Sequence, residues 1–206
     1  INPNDPNNIF IGSWVNGLLE YRNNAYYKIH NDENSSLRQA LGNSGYIRIG
    51  GADFDSEGNL WVTNSLATPQ IHVLDKTGKW TGINYSSIIK DRNIGNILIT
   101  KDNIKWVIVG QSGGLLVFDD NGTPDVRSDD KVKRLDIVNE NGELISNDVY
   151  SIAEDKNGYI WVGTRKGVAV YYNPKDVFNS DKFTARQIKI PRNDGTDNAD
   201  ILLGND

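Results

Sequence analysis

The chain of 206 residues contains no cysteine, no methionine and only two histidines. Without a thiol it can form no disulfide, no zinc–thiolate centre and no cysteine nucleophile, although this absence does not fix the compartment. The lack of methionine even at position 1 predicts that the chain is a processed or excised piece of a longer polypeptide. No stretch approaches the ~20 apolar residues of a membrane span, and the opening INPNDPNN does not read as a signal peptide. The net charge of −5 is scattered, with no run of five like charges. Nothing in that pattern suggests nucleic acid, which would call for a basic face. Apolar residues at helical spacing persist for no more than about two turns anywhere.

What the chain has in abundance is turn chemistry. Its 20 glycines, with many Asn and Asp, fall between short apolar runs, as an all-β chain requires. Residues 148–171, DVYSIAEDKNGYIWVGTRKGVAVY, show the unit most clearly. An apolar strand pattern (Val149, Ile152) is followed by a turn signal (Asp155, Asn157, Gly158). A Trp-centred strand, a second turn at Lys166 and Gly167, and a third strand complete it.

Weaker copies recur. Aligned on the aromatic of the central strand, the units are anchored at Phe10, Trp61, Trp106 and Trp161, with spacings of 51, 45 and 55 residues. A partner strand begins six to nine residues after each anchor. Periods of ~40–50 residues with four short strands each are those of β-propeller blades. In the second unit, residues 47–54, 59–64, 71–74 and 79–84 are expected as strands running from the innermost to the outermost. Residues 55–58, 75–78, 119–122 and 155–158 carry Asp first and Gly fourth, the chemistry of type I turns. These tight turns should share one end of the sheets, and the irregular connections the other. The central-strand aromatics are read as packing residues between blades, where truncation of a Trp to Ala costs about 3–5 kcal/mol.

The expected fold is therefore all-β, a β-propeller of about four blades over residues 8–206, preceded by an N-terminal extension at 1–7. The first unit enters at its second strand, and the turn before Lys105 and Trp106 looks shortened. Residues 199–206 look like the approach to another inner strand. Either that tail closes a four-bladed ring, or the chain is an arc of a larger one. The arc is favoured, and its open edges and apolar faces imply self-association.

With those residues in view, the unit D-x-x-G-x-[ILY]-W-V-[GT]-[TN] followed by G-V-x-x-Y resembles the two-component regulator propeller repeat of extracytoplasmic sensors. Residues 155–171 match it closely, whereas the other units depart at Phe10, Lys105 and Asn64. The phrases GGADFDSEGNLWVTNS, PQIHVLDKTGKW and IPRNDGTDNADILL look more like the N-terminal propeller region of PorZ-type proteins of the type IX secretion machinery. The first resemblance implies a periplasmic sensor of oligosaccharides. The second implies a cell-surface scaffold for attaching secreted proteins to lipopolysaccharide in a Gram-negative bacterium. Both imply a protein, lipopolysaccharide or oligosaccharide partner, with no cofactor, no metal and no catalytic residue to carry over.

The residues themselves mark little catalytic chemistry. The acids of residues 53–58 resemble a calcium loop, but the twelfth position is Asn64 where a bidentate acid is needed, so an ordinary turn is expected. His30 and His72 lack a recognisable acid–hydroxyl company, and Asp129, Asp130, Asp148 and Glu154 have no spacing that selects a glycosidase pair. Residues 110–114 lack the Lys and helix of a phosphate loop. A binding role is left, and the polar loop residues Asn64, Gln111, Arg165 and Lys166, with Arg48 at the start of an inner strand, are the candidate contacts.

Overall fold

The computed structural model describes residues 1–90 and 92–204. A sheet of three strands comes first: β1 (Asn8–Gly12), β2 (Leu18–Arg22) and β3 (Ala25–His30). Three four-stranded antiparallel sheets follow in simple meander order. They contain β4 (Arg48–Phe54), β5 (Leu60–Ser65), β6 (Ile71–Leu74) and β7 (Trp80–Ile83); β8 (Ile94–Ile99), β9 (Lys105–Val109), β10 (Gly114–Asp119) and β11 (Lys131–Leu135); and β12 (Val149–Glu154), β13 (Ile160–Thr164), β14 (Gly167–Tyr171) and β15 (Arg186–Gln187). A short 3-10 helix, Pro174–Phe178, lies between β14 and β15, and β16 (Lys189–Pro191) pairs with β17 (Ala199–Ile201) in a separate hairpin. The strands expected in the second unit are displaced from β4 to β7 by one residue at most. The expected boundary at Asp206 lies outside the described residues.

The turns led by Asp55 and Asp155 are each built by one carboxylate. Asp55 Oδ1 accepts the amides of Glu57 (3.0 Å) and Asn59 (2.8 Å), while Oδ2 accepts the indole N–H of Trp61 (2.8 Å). Asp155 does the same for Asn157, Tyr159 and the indole of Trp161 (3.0 Å). The turn residue thus also aims the anchor ring six positions later. The structure corrects one expectation here, because the turn before Trp106 has the full length. Thr100 stands in the Asp place, its amide meets the Ile104 carbonyl at 3.0 Å as Asp55 meets Asn59, and Asn103 takes the left-handed conformation of Gly58. The Thr100 hydroxyl is spent on Ile104, so the buried indole N–H of Trp106 has no acceptor among the described residues.

The sheets pack face to face. Between the third and fourth sheets lies a wide apolar layer that includes Trp106, Leu115, Val117, Ile152, Val162 and Tyr171. Between the second and third, Trp61 and Phe118 lead a similar layer, with ring centroids 5.5 Å apart. Between the first and second the buried apolar set shrinks to Leu18, Leu37, Ile47, Ile49, Leu60 and Val62. Phe10 is only partly buried there, and Trp161 is half-buried on the opposite face of the fourth sheet. Inner strands β4 and β8 approach so closely that a Cβ on Gly50 would sit 2.6 Å from the Ile94 carbonyl, which explains the glycine pair at 50–51. Each inner strand β4, β8 and β12 carries a register shift near its start, adding local twist where the chain enters the sheet.

Candidate functional site

Meander order puts the Asp-led turns at one end of the sheets and the irregular connections at the other. All five candidate contacts fall at the irregular end, in two groups and a separate cleft.

The first group surrounds the entry to β4. The Arg48 guanidinium lies 5.2 Å from the centroid of the Trp14 ring, and its buried Nε has no hydrogen-bond partner among the described residues. Trp14 is 57% exposed, and Tyr46 and Leu41 are exposed nearby on the β3–β4 connection. These segments are laced together by the amide of Ile47 on the Val15 carbonyl (2.7 Å) and that of Ala40 on Tyr46 (2.7 Å). Asn64 belongs to the support of this group. Fully buried, it accepts the Arg38 amide at Oδ1 (2.7 Å) and donates Nδ2 to the Arg48 carbonyl (3.2 Å).

The second group bridges the third and fourth sheets. Ser112 donates its hydroxyl to Asp148 Oδ1 (2.5 Å), and Arg165 Nη1 stands 3.8 Å from Asp148 Oδ2. The Arg165 amide also donates to the Asp148 carbonyl (3.0 Å). Gln111 and Ser112 both hold positive φ, 53° and 59°, in a two-residue tip that projects the exposed Gln111 side chain. Non-glycine residues in that region are sparsely populated, and two in succession mark a tip held by its surroundings.

Lys166 is exposed and takes part in neither group. It lines a cleft of about 490 Å³ with Glu143, Gln187, Arg192 and Asp200, and its carbonyl accepts from Gln187 Nε2 (3.1 Å). Arg192 is paired with Asp200.

Sequence reasoning missed Trp14, Tyr46 and Ser112 as members of these groups. Trp14 had a usable signal, a tryptophan outside the six-residue register that explains the anchors. Asp148 was singled out among unpaired acids, but its partners, at separations of 36 and 17 residues, needed the fold. The other acids lie elsewhere: Asp129 takes the Thr123 hydroxyl (2.7 Å), Asp130 the Tyr85 hydroxyl (2.7 Å), and Glu154 the Lys101 amide (3.0 Å), all on the tight-turn side. Burial raises the pKa of Asp130, partly offset by Tyr85 and Arg127. Asp53, expected to belong to an ordinary turn, accepts the Ile99 amide across the sheets (2.9 Å) and is raised by burial.

Four successive meander sheets packed face to face, with turn-tethered aromatics, define a β-propeller segment. The model of the two component regulator propeller matches residues 143–166. The chain is similar to PorZ, an essential surface component of the type IX secretion system of Porphyromonas gingivalis, with a TM-score of 0.86 and 28% identity over 97% of this chain. It also superposes on two extracellular domains from B. thetaiotaomicron. One is assigned to a hybrid two component system (TM-score 0.55, 19% identity, 82% of this chain) and one to a one component system (0.58, 18%, 89%). The chain spans 27% of the PorZ structure and 21% and 22% of the other two. No curated protein matches it in sequence.

Proposed function

We propose that this chain is part of a non-catalytic β-propeller scaffold of PorZ type, lying in the periplasm or on the surface of a Gram-negative bacterium and serving the attachment of secreted proteins. The observation that carries this reading is the similarity to PorZ along 97% of the chain at 28% identity. In this reading the irregular end meets the partner, a surface protein or the saccharide portion of lipopolysaccharide. The exposed Trp14 ring beside Arg48 offers a flat apolar face with a cation at its edge. The tip at Gln111, with Arg165 and the separate Lys166, supplies hydrogen-bond donors on a rigid frame.

The second reading, an oligosaccharide-sensing propeller of a two-component sensor, draws on the repeat matched at residues 143–166. The two part on the location of attached cargo. In the source bacterium, Trp14→Ala with Arg48→Ala, and Arg165→Ala with Lys166→Ala, are expected to move secreted cargo from the cell surface to the medium. Unchanged attachment, with a changed transcriptional response to oligosaccharides, would favour the sensor. Purified chain is also expected to bind lipopolysaccharide more tightly than the two double variants. Equal affinity in all three would remove these residues from the site.

A further inference from the structure

Both histidines of the chain lie in the same place, the thin seam between the first and second sheets, and both bond across it. His30, on β3, is buried and places Nε2 2.8 Å from Glu20 Oε2. Its Nδ1 accepts the indole N–H of Trp80 on β7 at 3.3 Å. An indole N–H only donates, so Nδ1 is the acceptor and the single ring proton sits on Nε2. His72, on β6, is also buried, with Nε2 3.2 Å from the Pro69 carbonyl and Nδ1 2.8 Å from the hydroxyl of Ser36 on the β3–β4 connection. A carbonyl only accepts, so this ring carries its proton on Nε2 as well. Each cross-seam bond therefore ends on a bare Nδ1.

We infer that this seam is an acid-labile clasp, in which a proton on His30 Nδ1 breaks the Trp80 bond and releases the first sheet from the second while the rest of the stack holds. Protonation turns Nδ1 from acceptor to donor and sets two N–H groups against each other. The first sheet is otherwise held on its neighbour by backbone bonds at the irregular end, where Ser13, Val15 and Gly17 meet Ile47 and Ile49, and by a thin apolar layer of Leu18, Leu37, Ile47, Ile49, Leu60 and Val62 with four partly buried residues at the margin.

The charged groups around His30 set where the clasp opens. From β2 come Glu20, which favours the imidazolium, and Arg22, held by Glu20 Oε1 at 2.7 Å, which opposes it. Lys28 on β3 opposes it too, and burial opposes it most, leaving the His30 pKa below its ordinary value. Asp75 and Lys76, of the β6–β7 turn, line the same cleft with Asn8 and Phe10 of β1. Burial alone would raise Glu20, but hydrogen bonds from His30 and Arg22 outweigh it, so this carboxylate stays ionised to lower pH than usual. His72 is held down to about 3, chiefly by burial. His30, unlike His72, has a carboxylate on its ring, and Glu20 favours a proton there.

Hydrogen–deuterium exchange of the chain between pH 7.5 and 4.5, corrected for intrinsic rates, tests this. Peptides from β1 to β3 and from β7 are expected to lose protection at least tenfold on acidification, with β12 to β14 unchanged. His30→Gln, whose amide can both donate to Glu20 and accept from Trp80 without titrating, should abolish the loss, and Trp80→Phe should blunt it. Uniform loss across all four sheets, or retained acid sensitivity in His30→Gln, would overturn the inference. Should His30→Gln fold poorly, the wild-type protein decides by NMR. The Trp80 indole N–H resonance must titrate with His30, and an indole signal that ignores the His30 midpoint refutes the clasp.

Discussion

The seam between the first and second sheets and the seam between the third and fourth join the same kind of surfaces by different physics. The latter buries sixteen residues in one apolar cluster, the former six. Where apolar area is large, the hydrophobic term tolerates small errors of fit, because it is nondirectional. Where it is small, hydrogen bonds carry more of the cohesion: His30 to Trp80, His72 to Ser36, and the backbone of residues 13–17 to Ile47 and Ile49. Such groups hold only while each partner is present and correctly protonated. One seam is tolerant and the other conditional.

The comparison can be broken or sharpened by substitution and by pH. The largest effect is expected in the tolerant seam, where Trp106→Ala should cost about 3–5 kcal/mol in urea unfolding. Phe10→Ala, at the equivalent place in the conditional seam, should cost clearly less, and equal costs would erase the distinction. Next comes Glu20→Ala, which strands the buried His30 and should cost about 1–3 kcal/mol, with lost protection confined to the first two sheets.

The pH effect has a definite sign. Both histidines bind protons less readily folded than unfolded, so they subtract nothing above the unfolded value of about 6.5. Below it each lowers stability by up to about 1.4 kcal/mol per pH unit until its folded value is passed. Asp155, held low by the Trp161 indole and nearby amides, and Asp75, lowered by Thr77 and Lys79 against a desolvation that would raise it, act in a separate window. Their contributions are fully present above the unfolded carboxylate range near 4 and are lost as pH falls below it through their lower folded values. Unfolding curves at pH 7.5, 5.5 and 3.5 separate the two, and a flat profile between 7.5 and 5.5 would contradict the histidine assignment. The smallest expected change is a gain. Thr100→Asp supplies the acceptor the Trp106 indole lacks and should add about 0.5–1.5 kcal/mol, whereas no gain would mean that the carboxylate cannot be seated there.

Much of the frame was legible because its determinants are local. Turn residue, left-handed fourth position and anchor ring lie within seven residues, and alternation fixes the faces. The conditional seam was not legible. His30 meets Glu20 only through the β2–β3 register, and Trp80 only after two sheets have packed, fifty residues away. The irregular end was legible as a location but not as an arrangement. Asn64 read as a polar loop contact, yet its amide is consumed by the Arg38 and Arg48 backbones. Thr100 shows the converse: counting six residues back from Trp106 finds the turn that composition had hidden.

The tether from Asp55 to Trp61 makes the tight-turn end intolerant of length change. One residue inserted between them would detach the carboxylate from the indole and turn every later side chain of β5 to the opposite face. At the other end, connections range from the two-residue step at Arg165 and Lys166 to the long run between β3 and β4, with no ring waiting at a fixed interval. A change of length is therefore resisted at one end of the sheets and absorbed at the other.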